Sequence, residues 1–467
     1  MVDTHSAQTD SLLHALNKQQ QAAVLNTRGP MLVLAGAGTG KTTVITRRIA
    51  HLIASGVAPH QILAVTFTKK AATEMKQRVD TSLGGKIDGL TICTFHALGY
   101  RILRENGIRT CARGNVNLIS AKQQRELVAD LLPHANLDSG FDVRETIREI
   151  SRIKTLAALD ALACEDSDLE FLVDAYQREL MQRLLVDFDD MLILPMVALR
   201  ESLELRSRYQ HRWRYILVDE YQDTNALQHV LVQLLVGAER NLCVVGDDDQ
   251  SIYGFRGASA DKMLNFRQEF PGARILKLEQ NYRSKSEIVD LANTVIERSA
   301  ARYSKTLRSH LGCGGRITQS RAEHADAESA SIADWMQQRR QTQRWSDMAA
   351  LFRVASDAQS LQQRLKDRGI PYQTSSETAS NRDKITIMTL HRSKGLEFPI
   401  VFLPAVEENT LPHFHAIRSG NHGIEEERRL LYVGITRAQN ELVISSSACR
   451  RGRPRTASRF LVELAMP

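Results

Sequence analysis

Met31-Leu32-Val33-Leu34-Ala35-Gly36-Ala37-Gly38-Thr39-Gly40-Lys41-Thr42-Thr43 is the stretch whose reading decides the fold. A short apolar run breaks into small residues, passes through Gly-Lys-Thr and continues into an amphipathic segment: strand, phosphate loop, helix. Glycines let successive backbone N–H groups close around phosphates at a helix N-terminus, where the helix dipole also favours an anion. Lys41 is placed to reach the outer phosphates of a nucleoside triphosphate, and the Thr42 hydroxyl to hold magnesium. The strict pattern asks for Gly where Ala35 stands, so the loop alone is an imperfect match.

The surrounding chain has the texture such a loop needs. Ile62-Leu63-Ala64-Val65-Thr66-Phe67 reads as a buried parallel strand and Ala71 to Val79 as the helix after it, an alternation that predicts a parallel sheet covered by helices. From about Ile102 to Leu185 the chain turns helical, charge-rich and strand-poor, which predicts an all-helical insertion. The α/β texture resumes at Tyr215-Ile216-Leu217-Val218 and Leu242-Cys243-Val244-Val245, and a second α/β unit is expected from near Arg274. Its expected strands include Ala349 to Phe352, Ile385 to Met388 and Pro399 to Leu403, with a helix over Glu425 to Ile435. His310 to Gly315 and Tyr372 to Lys384 read as loose connections.

The 467 residues suggest roughly two to four domains. Apolar residues make up 43% and charged residues 25%, as in ordinary globular chains. Met1 to Leu16 is not a signal peptide and no apolar run is long enough to span a bilayer, so a cytoplasmic protein is expected. Lys+Arg 61 against Asp+Glu 54 gives +7, which permits a nucleic-acid partner without requiring one. The six cysteines form no CxxC pair, which argues against structural zinc or an iron–sulfur cluster.

Ile216-Leu217-Val218-Asp219-Glu220 is an apolar strand ending in two carboxylates. Beside a phosphate loop, Asp219 is expected to position magnesium through water, and Glu220 to orient and deprotonate the attacking water. A second strand ends in Gly246-Asp247-Asp248-Asp249-Gln250, where ligands bind in such sheets. Gln250 is placed to sense the γ-phosphate, and the three aspartates read either as part of that site or as solvated turn residues.

Asp219-Glu220-Tyr221-Gln222-Asp223-Thr224-Asn225 resembles motif II of the UvrD/Rep family of superfamily 1 helicases, and other family motifs follow in order. Leu16-Asn17 with Gln20 resembles the Q motif, in which Gln20 would read adenine, and Ala35 is ordinary for the family. Thr66 to Ala72 resembles motif Ia, and Thr94-Phe95-His96 the next DNA-contacting motif. Gly246 to Ala258 resembles motif III, Gln280 to Ser284 motif IV, Thr389 to Phe398 motif V and Glu427 to Ala438 motif VI. The resemblance implies two RecA-like domains with a helical insertion. The implied boundaries are 1–104 and 191–273 for the first domain, 105–190 for its 1B-like insertion and 274–467 for the second.

It further implies that Gly36, Ala37, Gly38, Thr39, Gly40, Lys41, Thr42 and Thr43 cradle ATP. Tyr282 would stack on adenine and Glu397 would hold the ribose, while Arg283 and Arg437 act as arginine fingers, a role suited to a permanently charged, forked guanidinium. Single-stranded DNA would run over Phe67, Thr94, Phe95, His96, Tyr253, Phe255, Arg256 and His391, through aromatic stacking and positive charge. The implied activity is DNA-dependent ATP hydrolysis driving 3′ to 5′ movement on single strands and unwinding at single-strand/duplex junctions in repair or replication. Single-strand translocation without unwinding, or nucleotide-gated DNA binding, is the alternative, and an accessory repair or replication protein is an expected partner.

Three features depart from the family pattern. Thr43 stands where many relatives carry an Arg that stacks on the base, and Arg47, one turn on, is the expected substitute. Phe255 stands where Trp is usual. Only a short bridge, Gln373 to Asp383, replaces the long 2B insertion. Asp187-Phe188-Asp189-Asp190 is read as a structural junction, and Arg450 to Arg455 as either a DNA contact or a solvated tail.

Overall fold

The structure, a computed structural model, describes residues 12–107, 117–134, 142–161, 167–258, 260–300, 302–374 and 383–464. Contacts divide the chain into two compact units. One comprises Met1–Leu32, Thr42–Val245 and Phe270–Arg274; the other comprises Val33–Lys41, Gly246–Glu269 and Ile275–Pro467.

The first sheet is built from β1 (Met31–Ala35), β2 (Ile62–Thr66), β3 (Thr91–Thr94), β4 (Tyr215–Val218), β5 (Leu242–Gly246) and β6 (Arg274–Leu278), in the order β3-β2-β4-β5-β1-β6. The β2–β3, β2–β4 and β4–β5 pairs are parallel. Every residue of β1, β2 and β5 is buried. This is why these strands read as unbroken apolar runs: helices cover both faces of a parallel sheet, leaving no solvent side to alternate with. Arg274–Leu278, at the start of the expected second domain, is the edge of this first sheet. Residue pattern specifies that a segment is a strand, not which partner it takes.

In the first unit the helical insertion packs Ala121–Leu131, Val143–Ala158 and Ser167–Gln182 around Leu127, Val128, Ile150, Ile153, Leu172 and Tyr176. Its return is clasped by Lys154, whose buried ammonium sits 2.6 Å from Asp187 and 3.0 Å from Asp190. Such a pair is stable only when complete, because removing one partner strands a buried charge. This fits the reading of Asp187 to Asp190 as a junction.

The second sheet, in the other unit, is wholly parallel. Its strands β7 (Arg316–Ala322), β8 (Met348–Phe352), β9 (Tyr372–Gln373), β10 (Ile385–Thr389), β11 (Phe398–Leu403) and β12 (Ala438–Ser447) lie in the order β7-β12-β11-β8-β10-β9. Ala349 and Leu351 enter one core cluster while Met348, Ala350 and Phe352 enter another. That period-two split is what opposite faces of one strand require. The short bridge expected in place of 2B falls largely on residues 375–382, outside the described residues.

Arg450 is neither a DNA contact nor a solvated tail. It is 4% exposed and ion-paired to Glu407 and Glu328, two carboxylates that are themselves buried. A run of arginines reads as surface charge in sequence because its distant acidic partners cannot be seen from the run itself. Among the described residues, no helix is long and apolar enough to cross a membrane.

Candidate functional site

In the second unit the phosphate loop lies directly against the segment Gln280–Arg283. The Tyr282 N–H donates to the Gly38 carbonyl at 2.8 Å, and the Asn281 side-chain amide donates to the Ala37 carbonyl at 2.8 Å. Gly38 has φ +67°, and a Cβ there would stand 2.7 Å from both Asn281 Nδ2 and Arg283 Cβ, so conformation and space both require glycine. Gly40 is also left-handed, at φ +84°. Thr39 Oγ1 donates to the Gly36 carbonyl at 2.8 Å, and Lys41 Nζ donates to the Ala35 carbonyl at 3.0 Å.

The two arginines are held in contrasting ways. Arg283 Nε donates to Glu397 at 2.5 Å and its Nη1 to the Thr436 carbonyl at 3.1 Å. Glu397, the expected ribose ligand, is thus engaged with Arg283 and also accepts from Gln439 at 3.1 Å. Arg437 is 1% exposed, and its guanidinium donates to the carbonyls of Val433 and Leu396, each at 3.0 Å. It also reaches Gln250 Oε1 at 3.4 Å. The Gln250 amide donates to Asp247 Oδ2 at 2.6 Å. Burial pushes the Asp247 carboxyl up, but Lys305 and Lys41 outweigh it and hold the group below the usual carboxylate range. Tyr282 is partly exposed; its hydroxyl donates to Gln280 at 3.1 Å, and its ring lies 4.9 Å from that of His310.

The first unit holds the remaining nucleotide-site candidates. Asp219 follows β4 directly, its N–H donating to the Val65 carbonyl at 2.9 Å and its Oδ1 accepting from the Glu220 N–H at 3.0 Å. Glu220 sits at φ +49°, a left-handed conformation uncommon for a residue with a Cβ and often found where function demands it. Its carboxylate accepts from the Gln222 amide. Gln20 is buried and shares a capping box with Asn17 at the start of helix Lys18–Leu25. Thr42 lies in the first turn of helix Lys41–Ala54. Thr43 and Arg47 line one cavity of about 350 Å³ with Gln77, Arg78 and Thr81, so the two stand side by side as the helical spacing predicts.

The DNA candidates separate by exposure. In the second unit, Phe255 is 67% exposed, and its ring lies 6.0 Å from Tyr253 and 5.7 Å from His391. The Tyr253 hydroxyl donates to the His391 carbonyl at 3.3 Å, and Lys394 lies over the Tyr253 ring. Phe255 and His391 open onto a cavity of about 750 Å³ that also takes in Arg353, His413 and His422. The Arg256 side chain lies outside the described residues.

In the first unit, Phe67 is half-buried and Thr94 caps helix Phe95–Glu105. Phe95 is 2% exposed: as the first helical residue it turns into the core and offers no ring to a base. His96 stacks on Phe188 with ring centroids 3.9 Å apart, and its burial pushes the imidazole down to about 4. Phe188, 58% exposed, belongs with the aromatic candidates and was missed, because Asp187-Phe188-Asp189-Asp190 reads as a structural junction. A lone aromatic inside an acidic run was the available signal.

The UvrD/REP helicase N-terminal domain family model matches residues 16–271, and the UvrD-like helicase C-terminal domain model matches residues 276–379 and 373–448. The chain is similar to ATP-dependent DNA helicase PcrA of Staphylococcus aureus (strain MRSA252), 29% identical over 634 residues covering 97% of this chain and 87% of that protein. The corresponding Staphylococcus epidermidis protein gives the same figures. PcrA of Leuconostoc citreum is 40% identical over 374 residues, covering 78% of this chain and 50% of that protein.

Proposed function

The chain belongs to the UvrD/Rep helicase family, and on that premise we propose that it hydrolyses ATP to drive 3′ to 5′ movement along single-stranded DNA and to unwind duplexes. It is an ATP-dependent DNA helicase with two RecA-like domains. The observation that carries the reading is the seating of Asn281, Tyr282 and Arg283 against Ala37 and Gly38, which brings a guanidinium to the phosphate loop.

The residues divide the work as follows. ATP draws Lys41 from the Ala35 carbonyl and Arg283 from Glu397, exchanging neutral and carboxylate partners for phosphate oxygens. Arg437 and Gln250, joined to each other, would supply donors to the γ-phosphate. Glu220 accepts the proton of the attacking water, with Gln222 orienting its carboxylate. The Thr42 hydroxyl and Asp219 carboxylate are hard oxygen donors of the kind magnesium takes, and they would hold it. When bound, the ion neutralises phosphate charge.

Tyr253, Phe255, His391, Phe67, His96 and Phe188 would stack or flank bases of the single strand. The boundaries 1–104 with 191–273, 105–190 and 274–467 remain our division of the chain. Absence of the 2B insertion is supported by an alignment of 634 positions to a chain of 467 residues, and by the two-piece C-terminal match that meets at 373–379. We place the protein on chromosomal DNA in a bacterial-type cytoplasm, with an accessory repair or replication protein as partner.

The test is ATP turnover with no DNA, single-stranded, duplex, and 3′- or 5′-tailed DNA. Glu220→Gln is expected to lower stimulated turnover by about a hundredfold or more. Stimulated hydrolysis that survives this change would overturn the assignment of the base.

A further inference from the structure

The three carboxylates Asp247, Asp248 and Asp249 converge within 4.8 Å of one another and are all buried. They are neither solvated turn residues nor an open cation site. The ammonium of Lys305, 1% exposed, sits among them at 3.0 Å from Asp247, 2.5 Å from Asp248 and 2.6 Å from Asp249. Its neighbours reinforce the grip. Arg302 meets Asp249 with two parallel hydrogen bonds of 2.8 Å, and the Tyr303 N–H donates to Asp248 at 2.7 Å. Forked pairing of this kind fixes geometry as well as charge.

The same strap touches two more parts of the nucleotide site. Two residues beyond Lys305, Leu307 packs on the phosphate loop so closely that a Cβ on Gly36 would fall 2.3 Å from its Cδ2. Leu307 is pinned from behind by Asn293, which exchanges hydrogen bonds of 2.9 and 3.0 Å with its backbone. Immediately after it, Arg308–Ser309 pairs in parallel with Gln280–Asn281, the segment that carries Arg283. Asp247 then passes the constraint to Gln250, whose amide donates to it at 2.6 Å and whose carbonyl oxygen is 3.4 Å from Arg437.

We propose that Lys305 is a positioning residue for ATP turnover: from the strap Arg302–Leu307 it fixes Asp247 and thereby the Gln250 side chain, in register with the loop that Leu307 covers. This deepens the reading of Gln250 as a γ-phosphate sensor and rests on it. Lys305 touches no expected substrate atom; it acts through Asp247. The strap makes sensing a property of the assembled loop, since the residues that hold Gln250 also hold the Gly36 turn and the Arg283 segment.

The experiment is a double-mutant cycle on the full chain with saturating single-stranded DNA, measuring kcat and KM for ATP and, separately, ADP affinity. Lys305→Met is expected to lower kcat at least tenfold while KM and ADP affinity stay within threefold. Added to Gln250→Ala, it is expected to cause less than a threefold further loss, because both changes remove one action. A general structural role predicts independent, multiplying losses, and that result overturns the proposal, as does an unchanged kcat. Circular dichroism checks folding. Should Lys305→Met fail to fold, Asp247→Ala, which leaves Lys305 two carboxylates, takes its place in the same cycle with the same expected outcomes. Failure of the underlying reading is separable: Gln250→Ala alone would then leave kcat unchanged.

Discussion

Replacing Gly99 by alanine sets two physical rules against each other. In an ordinary helix interior the change stabilises by about 1 kcal/mol, because alanine loses less backbone freedom. Gly99, however, is buried in helix Phe95–Glu105 against helix Asp190–Glu201. A Cβ there would stand 1.8 Å from the Met191 carbonyl oxygen and 3.4 Å from Pro195 Cγ. Ordinary contact begins at 3.4 Å, so the two backbones must part by the difference, about 1.6 Å. The obstructing atom is main chain and cannot rotate away, which puts the cost at the upper end of overpacking, about 3 kcal/mol. Set against the gain in propensity, the net destabilisation is about 2 kcal/mol, a fall in Tm of about 4–8 °C for a unit of this size. Function should follow packing. Helix Phe95–Glu105 carries His96, and Phe188 sits just before the opposing helix, so separation opens their 3.9 Å stack. Scanning calorimetry and fluorescence-anisotropy titration of single-stranded DNA measure the two effects. A variant that melts at or above the wild-type temperature would refute the reasoning, since propensity alone would then have won.

Gly38→Ala should raise KM for ATP and lower kcat together, because it adds a strained left-handed residue and a clash with Asn281 and Arg283; Gly56→Ala, equally left-handed at φ +90° with nothing within 4 Å, is the control for strain alone. Arg450→Met should cost about 3–5 kcal/mol in chemical denaturation, since it leaves Glu328 and Glu407 buried without their cation, whereas Arg453→Met, exposed in a short hairpin, should cost almost nothing. His96 is held down to about 4 against an ordinary 6.5, so below pH 6.5 the unfolded chain takes up the proton first. Its contribution to stability is therefore complete above 6.5 and is lost as pH falls toward 4. His96→Phe should flatten the decline in Tm across that window.

Local chemistry was legible in the sequence where it is carried by neighbouring residues. The loop from Gly36 to Thr42, the acidic end of β4 and the strand before Gln250 all declare themselves, because turn, strand and phosphate geometry are set over a dozen residues. What could not be read is partnership across distance. Lys305 looks like any lysine near a loop; only folding sets it among three aspartates some 57 residues away. Phe95 and Phe67 are equivalent as letters following a strand, yet one turns into the core at a helix start and the other stays half-exposed. Arg450 was hidden by its basic neighbours, and Phe188 by its acidic ones. Arg274 was read as the start of the second unit, yet Arg274–Leu278 is the edge strand of the first sheet. In each case the deciding term is contact with residues that the local pattern does not name.

The phosphate loop belongs, by its contacts, to residues made long after it. Ala37 and Asn281 are 244 positions apart. At bacterial and eukaryotic synthesis rates of about 5–20 residues per second, the loop waits about 12–50 s on the ribosome before its partner emerges. Neither Leu307 nor Tyr282 is there to cover it meanwhile. The nascent chain can therefore pair β2 with β3 well before it has a finished nucleotide site, and premature ATP turnover by an incomplete chain is disfavoured by the order of manufacture itself.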